Sequence, residues 1–260
     1  QEQSPQLFFF ESLCVKCYSC VPVCPTRATT INSPDGAIRI DRSICNACGL
    51  CAEACPSEAR VISGRITTAD ELLEEVKRDA LFYRNSGGGV TASGGEPTSQ
   101  PEFLLEFLRK CQESGIHTTL DTCGYVRWEI LKEILKYTEL VLYDIKIMDP
   151  AVHTKLTGVD NKLILQNAKR IIGLKKPINM RMPLIPEFND SEENIKAVVD
   201  FFTRLGIDKI DLLPYHQLGR SKYKRLGTEY KMNNVESYHE EQVEKIKKRF
   251  ESFGIEVTIA

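Results

Sequence analysis

The sequence has no surplus of charge with which to hold a polyanion. Its 34 Lys and Arg stand against 36 Asp and Glu, a formal net charge of -2, and the two signs are interspersed. Neither a nucleic-acid backbone nor an anionic membrane surface finds a basic field here. Long apolar runs are also lacking. Stretches such as Leu7 to Phe10 fall far short of the roughly 20 residues that a spanning helix needs, and nothing resembles a signal peptide. The expectations are no nucleic acid, no membrane and a cytoplasmic location. What is present, 260 residues of which 42% are hydrophobic and 27% charged, is enough to bury a core as one large domain or one domain plus a small one.

The ten cysteines are distributed unevenly, with eight inside residues 14 to 55. Cys14-x2-Cys17-x2-Cys20-x3-Cys24-Pro25 recurs as Cys45-x2-Cys48-x2-Cys51-x3-Cys55-Pro56, an internal duplication at an offset of 31 residues. Three cysteines at this spacing curl around one face of an iron-sulfur cubane, while the fourth, before proline, reaches the neighbouring cluster in two-cluster ferredoxins. The assignment is therefore crossed. Cys14, Cys17, Cys20 and Cys55 hold one [4Fe-4S] cluster, and Cys45, Cys48, Cys51 and Cys24 the other. Structural zinc uses four ligands at other spacings, and disulfides belong to small secreted chains. Between the halves, Ile31 to Gly36 and Ile38 to Asp41 predict a hairpin around a Pro-Asp-Gly turn.

From Arg65 the pattern changes to alternating amphipathic helices and short apolar strands, the signature of βα units and a mainly parallel sheet. The domain division expected is 1–63 for the amino-terminal segment and cluster module, and 64–260 for the α/β part. A Thr68-x-x-Glu71 capping box opens a helix to about Tyr83. Strands are predicted at Val90 to Ser93, Thr118 to Asp121, Leu140 to Ile145, Ile178 to Met182 and Lys209 to Leu213. Helices are predicted near 101–114, 127–137, 161–174, 191–205 and 236–252, several closed by glycine (Gly115, Gly173, Gly206, Gly254).

In such folds the chemistry sits at the carboxyl ends of the strands. The segments there are Ser93-Gly94-Gly95-Glu96-Pro97, Asp121-Thr122-Cys123-Gly124, Asp144-Ile145-Lys146, Arg181-Met182-Pro183 and Pro214-Tyr215-His216. Paired glycines let a backbone approach a ligand closely, although a plain turn explains Gly-Gly-Glu-Pro equally well. Asp144 and Lys146 lie two apart and share a face of an extended segment, either as a buried ion pair or as a ligand clamp. Cys111 lies on the Leu104, Phe107, Leu108 stripe of a helix and is a core residue. His117 begins a strand and is structural, His239 is a solvated helix residue, and His153 lies in a post-strand loop within reach of substrate.

Together, the cysteine repeat, Gly94-Gly95-Glu96-Pro97, Asp121-Thr-Cys-Gly, Asp144-Ile-Lys146 and Leu213-Pro-Tyr-His216-x-Leu-Gly219 resemble the glycyl-radical-enzyme activating enzymes of the radical S-adenosylmethionine (SAM) superfamily, in the subtype with two ferredoxin-type auxiliary clusters. The resemblance implies a partial (β/α)6 barrel lacking its first strand, with an inserted bacterial-ferredoxin-like module. It implies reductive cleavage of SAM to a 5'-deoxyadenosyl radical, which takes a hydrogen from a glycine of a partner glycyl radical enzyme. A flavodoxin or ferredoxin is the implied electron donor, and a monomer the implied state. By position, Gly94, Gly95 and Glu96 hold the methionine amino end; Asp144, Ile145, Lys146, Arg181 and His216 surround the carboxylate, sulfonium and ribose; Asp121, Thr122 and Asp144 line a monovalent-cation site. The basic segment Arg220 to Arg225 either docks the partner's glycine loop or is a solvated surface loop. The other readings are a different radical SAM enzyme with auxiliary clusters, and a non-catalytic iron-sulfur electron carrier.

The family binds SAM through a third [4Fe-4S] cluster held by Cys-x3-Cys-x2-Cys, and no such motif occurs in these 260 residues. Residue 1 is Gln, and five strands are visible where the family has six. The expectation is that the chain begins after that loop and, as it stands, does not cleave SAM. Anaerobic reconstitution is expected to load about eight irons per chain, against about twelve where a third cluster is present; iron and sulfide analysis measures this.

Overall fold

The computed structural model describes residues 4–32 and 34–260. In chain order, the first elements are β1 (Gln6–Phe9), β2 (Thr29–Asn32), β3 (Ala37–Ile40), α1 (Leu50–Glu53) and β4 (Arg60–Ser63). Next come α2 (Ala69–Lys77), α3 (Ala80–Ser86), β5 (Gly89–Ala92), α4 (Pro101–Glu113), β6 (His117–Thr122), α5 (Trp128–Leu135) and β7 (Leu140–Asp144). After these follow α6 (Pro150–Thr157), α7 (Lys162–Gly173), β8 (Ile178–Leu184), α8 (Glu192–Leu205), β9 (Lys209–Pro214), α9 (Gly219–Leu226), α10 (Glu240–Ser252) and β10 (Glu256–Ile259). The chain divides into two compact units.

The first unit comprises the residues through Ile66 together with Gln217–Asn234. The sequence reading placed that second segment in the α/β part. The basic stretch Arg220 to Arg225, expected as a loop, lies in α9. α9 buries none of its side chains, so no apolar stripe announces it. β2 and β3 form the expected antiparallel hairpin, with Thr29 opposite Ile40 and Asn32 opposite Ala37. Gly36 takes a left-handed φ of +66°, and the Asp35 carboxylate accepts from Ala37 N at 3.0 Å; Ser33 of the predicted turn lies outside the described residues. β1 pairs antiparallel with β4.

The second unit, Thr67–His216 with Val235–Ala260, is built on a parallel sheet in the order β10-β9-β8-β7-β6-β5. Alternation along the strands explains it. Met180, Met182 and Leu184 of β8, and Val141 and Tyr143 of β7, are fully or almost fully buried, because successive side chains leave a strand on opposite faces. The helices present matching stripes: Leu104, Phe107, Leu108 and Cys111 of α4, and Ile195, Val198, Val199 and Phe202 of α8. Each such side chain, fully buried, stabilises the fold by roughly 1.5–3 kcal/mol. The intervening residues, Asp121, Asp144 and Arg181 among them, are left on the other face, half-buried.

The sheet has six strands where the sequence shows five. The additional one, β10, is a short edge strand with a single buried residue, Val257, and so carries no apolar run to betray it. The capping box at Thr68 forms as expected, with Glu71 N donating to Thr68 Oγ1 at 3.2 Å and Thr68 N to Glu71 Oε2 at 2.8 Å. The helix that it opens stops at Lys77 and restarts at Ala80 instead of continuing to Tyr83. α6 is a further helix, in a segment expected to be a loop.

One glycine is required by space as well as by conformation. Gly124, just after β6, has φ +70°, and a Cβ built there would lie 1.8 Å from the hydroxyl of Tyr143. That hydroxyl is anchored by donating to Ile164 O at 2.7 Å. Gly115 has the same φ of +70° but open space around it. Ala in a left-handed conformation costs about 1–2 kcal/mol, and overpacking adds ~1–3 kcal/mol. Chemical denaturation should therefore find Gly124→Ala more destabilised than Gly115→Ala by the second amount.

Candidate functional site

In the first unit the eight clustered cysteines line two concavities. Cys14, Cys17, Cys20 and Cys55 surround one of about 270 Å³, and Cys24, Cys45, Cys48 and Cys51 surround another of about 300 Å³. Each therefore takes three cysteines from one half of the duplication and the pre-proline cysteine from the other. None of the ten cysteines is in a disulfide. Among the described residues no three His, Cys, Asp or Glu converge closely enough to hold a single ion.

The backbone repeats along with the cysteines. Left-handed φ values occur at Lys16 and Tyr18 between the cysteines of the first half, and at Ala47 and Gly49 at the same places in the second. Arg27 and Glu58 form a third such pair. A non-glycine residue at positive φ is uncommon and strained; here these residues bend each loop tightly enough to aim three side chains inward. Cys24 Sγ lies 3.7 Å from Thr26 Oγ1 and Cys55 Sγ 3.7 Å from Ser57 Oγ. Burial opposes ionisation of Cys24, but hydrogen bonds from Thr26 and from the backbone of Thr29 and Ala28 outweigh it and bring the thiol down to about 7. Cys55 is lowered similarly, with Ser57 in the role of Thr26. Thiolates are the form that binds iron; donor set and spacing suit a cubane in each concavity, and the lowered thiols of Cys24 and Cys55 favour one, whereas burial raises that of Cys20.

In the second unit the strand ends bring part of the predicted set together. Arg181, on β8, donates from Nε and Nη2 to Asp144 Oδ1 of β7 at 3.0 and 2.8 Å, and Nη2 also pairs with Asp121 of β6. Asp121 accepts in turn from Ser93 Oγ beyond β5, at 2.9 Å. Burial would lower Arg181, but Asp144 and Asp121 outweigh it and hold the guanidinium above its ordinary value. Burial also pushes the Asp144 carboxyl up, against the pull of Arg181 and Lys146. Asp144 thus finds its partner in Arg181, with Lys146 as a flanking charge. Register adds Asp211 of β9 opposite Arg181, a residue the sequence reading did not single out.

A second network holds the glycine loop. Glu96 Oε1 accepts from Thr98 N, Thr98 Oγ1 and Thr122 Oγ1 at 3.2, 2.7 and 2.6 Å, and Oε2 from Cys123 N at 2.9 Å. Burial would raise this carboxyl, yet these bonds keep it below its usual range. Gly94 and Gly95 are exposed beside it, with Gly94 at φ +108°. Of the residues expected around a monovalent cation, the structure brings Asp121 and Asp144 together on the Arg181 guanidinium and directs Thr122 to Glu96. Adjacent residues of a strand face opposite ways; Thr122 is buried and bonded to Glu96, while the two carboxylates enclose the Arg181 guanidinium. Ile145 is a core residue. His216, two residues past β9, is exposed.

Three buried asparagines that sequence patterning overlooked tie down the post-strand loops. Asn167 Nδ2 donates to Gly124 O and Val126 O, Asn161 Nδ2 to Ile147 O and Met148 O, and Asn189 Nδ2 to Lys146 O and Pro183 O. Their only sequence signal was a polar residue at a position packed against the core. His153 is likewise buried in α6, with Nδ1 2.6 Å from Val159 O. The predicted loop is a helix here, and it turns the ring inward. Outside the two cages the thiols are Cys111 and Cys123, both pushed up to about 11, by burial and, for Cys123, also by Glu96. The residues of this chain do not fit the three-thiolate set of a further cluster.

Residues 45–200 match the Radical SAM superfamily and residues 7–63 the 4Fe-4S dicluster domain. The trans-4-hydroxy-L-proline dehydratase activating enzyme of Clostridioides difficile is 40% identical over 262 residues, covering 100% of this chain and 86% of that protein. The choline trimethylamine-lyase activating enzyme of Oleidesulfovibrio alaskensis is 38% identical over 261 residues, covering 98% and 84%. Among solved structures, a domain of the pyruvate-formate lyase-activating enzyme from Bacteroides vulgatus aligns with a TM-score of 0.56 and 35% identity, over 66% of this chain and 99% of that one.

Crossed ligation makes a sharp prediction. Replacing Cys14 and Cys55 together by Ala empties one cage and should leave about four irons and one unperturbed cluster signal. Replacing Cys14 and Cys24 together takes one ligand from each cage, and electron paramagnetic resonance (EPR) should show both signals altered.

Proposed function

Because the chain belongs to the radical SAM superfamily, and within it to the glycyl-radical-enzyme activating enzymes, we propose that the strand-end residues of its parallel sheet form the SAM pocket. The protein is an activase: SAM is cleaved reductively, and the 5'-deoxyadenosyl radical so formed removes a hydrogen atom from a glycine of the partner enzyme. The single observation that carries this reading is likeness along the entire chain to activating enzymes, rather than to one of its two units alone.

The residues suit a ligand with one carboxylate and two cationic centres. Gly94 and Gly95 lack side chains at the end of β5, so the methionine amino group approaches main-chain carbonyls there. Glu96, kept ionised by four hydrogen bonds, fixes the geometry of that loop and lends it negative charge. Asp144 and Arg181 together offer an acceptor and a donor at a set separation, which is what a zwitterion needs. Lys146 supplies a further positive charge for the methionine carboxylate, and His216 borders the ribose. A monovalent ion between Asp121 and Asp144 has to displace the Arg181 guanidinium, which would then be freed to meet the SAM carboxylate.

Eight cage cysteines hold two [4Fe-4S] clusters, which supply one-electron capacity. The electron comes from a flavodoxin or ferredoxin. The protein works as a monomer in the cytoplasm.

The test is anaerobic incubation of the product of the whole coding sequence, reconstituted and reduced, with SAM and a glycyl radical enzyme encoded beside it. A glycyl-radical EPR signal should rise in step with 5'-deoxyadenosine, and a persistent lack of both would sink the reading. For the pocket, Asp144→Asn keeps the shape but removes the charge. A charge-assisted hydrogen bond contributes ~1.5–3 kcal/mol, so equilibrium dialysis should show SAM binding weakened by roughly tenfold or more; unchanged affinity would remove Asp144 from the pocket.

A further inference from the structure

The duplication that builds the two cages is broken by charge at one position in their walls. Arg60 stands 31 residues after Thr29, the same offset that relates the cysteines, so the two residues are counterparts. Thr29 lines the Cys24, Cys45, Cys48, Cys51 cage, and Arg60 lines the Cys14, Cys17, Cys20, Cys55 cage. Both are buried, Arg60 at 2% exposure. An uncompensated buried guanidinium is costly, and here compensation from protein is incomplete. Nη1 donates to Thr29 Oγ1 at 3.0 Å and the guanidinium carbon lies 5.3 Å from the centre of the Phe9 ring. Nη2 is buried with no protein partner. No carboxylate is paired with Arg60 among the described residues.

The other cage has a cation near it as well, but differently placed. Arg42 donates from Nη1 to Leu7 O and from Nη2 to Arg225 O. Both nitrogens are thus occupied by backbone carbonyls, and the residue does not line the cavity. The asymmetry lies in the wall itself, with a cation carrying an unused donor in one cage and a neutral hydroxyl in the other.

A [4Fe-4S] cluster gains one negative charge on one-electron reduction, and its potential depends on nearby charge and on hydrogen bonds to its sulfurs. We propose that Arg60 donates Nη2–H to a sulfur of the cluster in the Cys14, Cys17, Cys20, Cys55 cage and, with its charge, raises that cluster's reduction potential above its twin's. This cage is then the electron-receiving end of the module: an electron lost by the Cys45-side cluster is the one gained here, with no proton involved. Arg60 is a positioning residue that acts through the cluster. The proposal rests on the assignment of the cage cysteines as ligands.

The experiment is an EPR-monitored redox titration, with dithionite as reductant, of the full chain reconstituted anaerobically. Cys17→Ser marks the cluster of the Arg60 cage by altering its signal, and that cluster should have the higher midpoint. Arg60→Gln, which keeps an N–H donor but drops the charge, should move this midpoint to more negative potential and leave the other in place. Arg60→Lys, which keeps the charge and shifts the donor, should fall between. If Arg60→Gln fails to load iron in that cage, the Lys variant carries the test, and its midpoint must still fall below wild type. Two resolved signals with neither midpoint moving, or with the wrong one moving, would overturn the proposal. A wild type with about four irons, or a Cys17→Ser variant that alters neither signal, would overturn the ligand assignment instead.

Discussion

A guanidinium half-buried among strand ends must be neutralised, and the second unit is organised around that requirement. Arg181 draws Asp144 from the adjacent strand and Asp121 from the one beyond it, so one side chain fixes the relative positions of three strand ends. Removing the cation leaves two carboxylates close together in a poorly solvated place, where like charges disfavour each other's ionisation. The network extends through Ser93 to the glycine loop. Glu96 holds that loop from its other side through Thr122 and Cys123. Charge pairing thus fixes the arrangement of these side chains without a ligand, and preorganisation of this kind lowers the cost of binding.

The cluster module meets a related constraint by other means. Eight thiols gathered in a small volume cannot rely on a large apolar core, and among the described residues the buried cluster there is Leu7, Cys20 and Cys51. The order resides in strained loop conformations at Lys16, Tyr18 and Ala47, with Gly49 left-handed at the fourth such place, and in the strand pairs on either side of the repeat. Strain at these positions is offset when the metal binds, since binding free energy serves as folding free energy in such modules.

Much of this was legible from residue order because it rests on local rules. The Cys-x2-Cys-x2-Cys spacing encodes loop geometry directly, and the Thr68 capping box announces a helix start. The alternation in Ile178 to Met182 separates a core face from a polar face. What escaped was governed by other forces. β10 is an edge strand with one buried residue, and α9 buries none, so neither has an apolar pattern to detect. Asn161, Asn167 and Asn189 are ordinary polar residues until the packed helices bring their amides to the carbonyls of distant loops.

The sequence by itself determined the two-cluster module, the parallel α/β character of the rest and the strand-end positions of Gly94, Glu96, Asp121 and Asp144, because periodicity and spacing are properties of neighbours in the chain; Arg181, expected at a strand end, lies in the middle of β8. Only the tertiary structure decided pairing. It gave Asp144 to Arg181 and turned Thr122 away from Asp121 to meet Glu96; it set Arg60 in the wall of one cage opposite Thr29 in the other. Those choices depend on which faces meet across strands and loops far apart in the chain, and distance through space is what residue order does not carry.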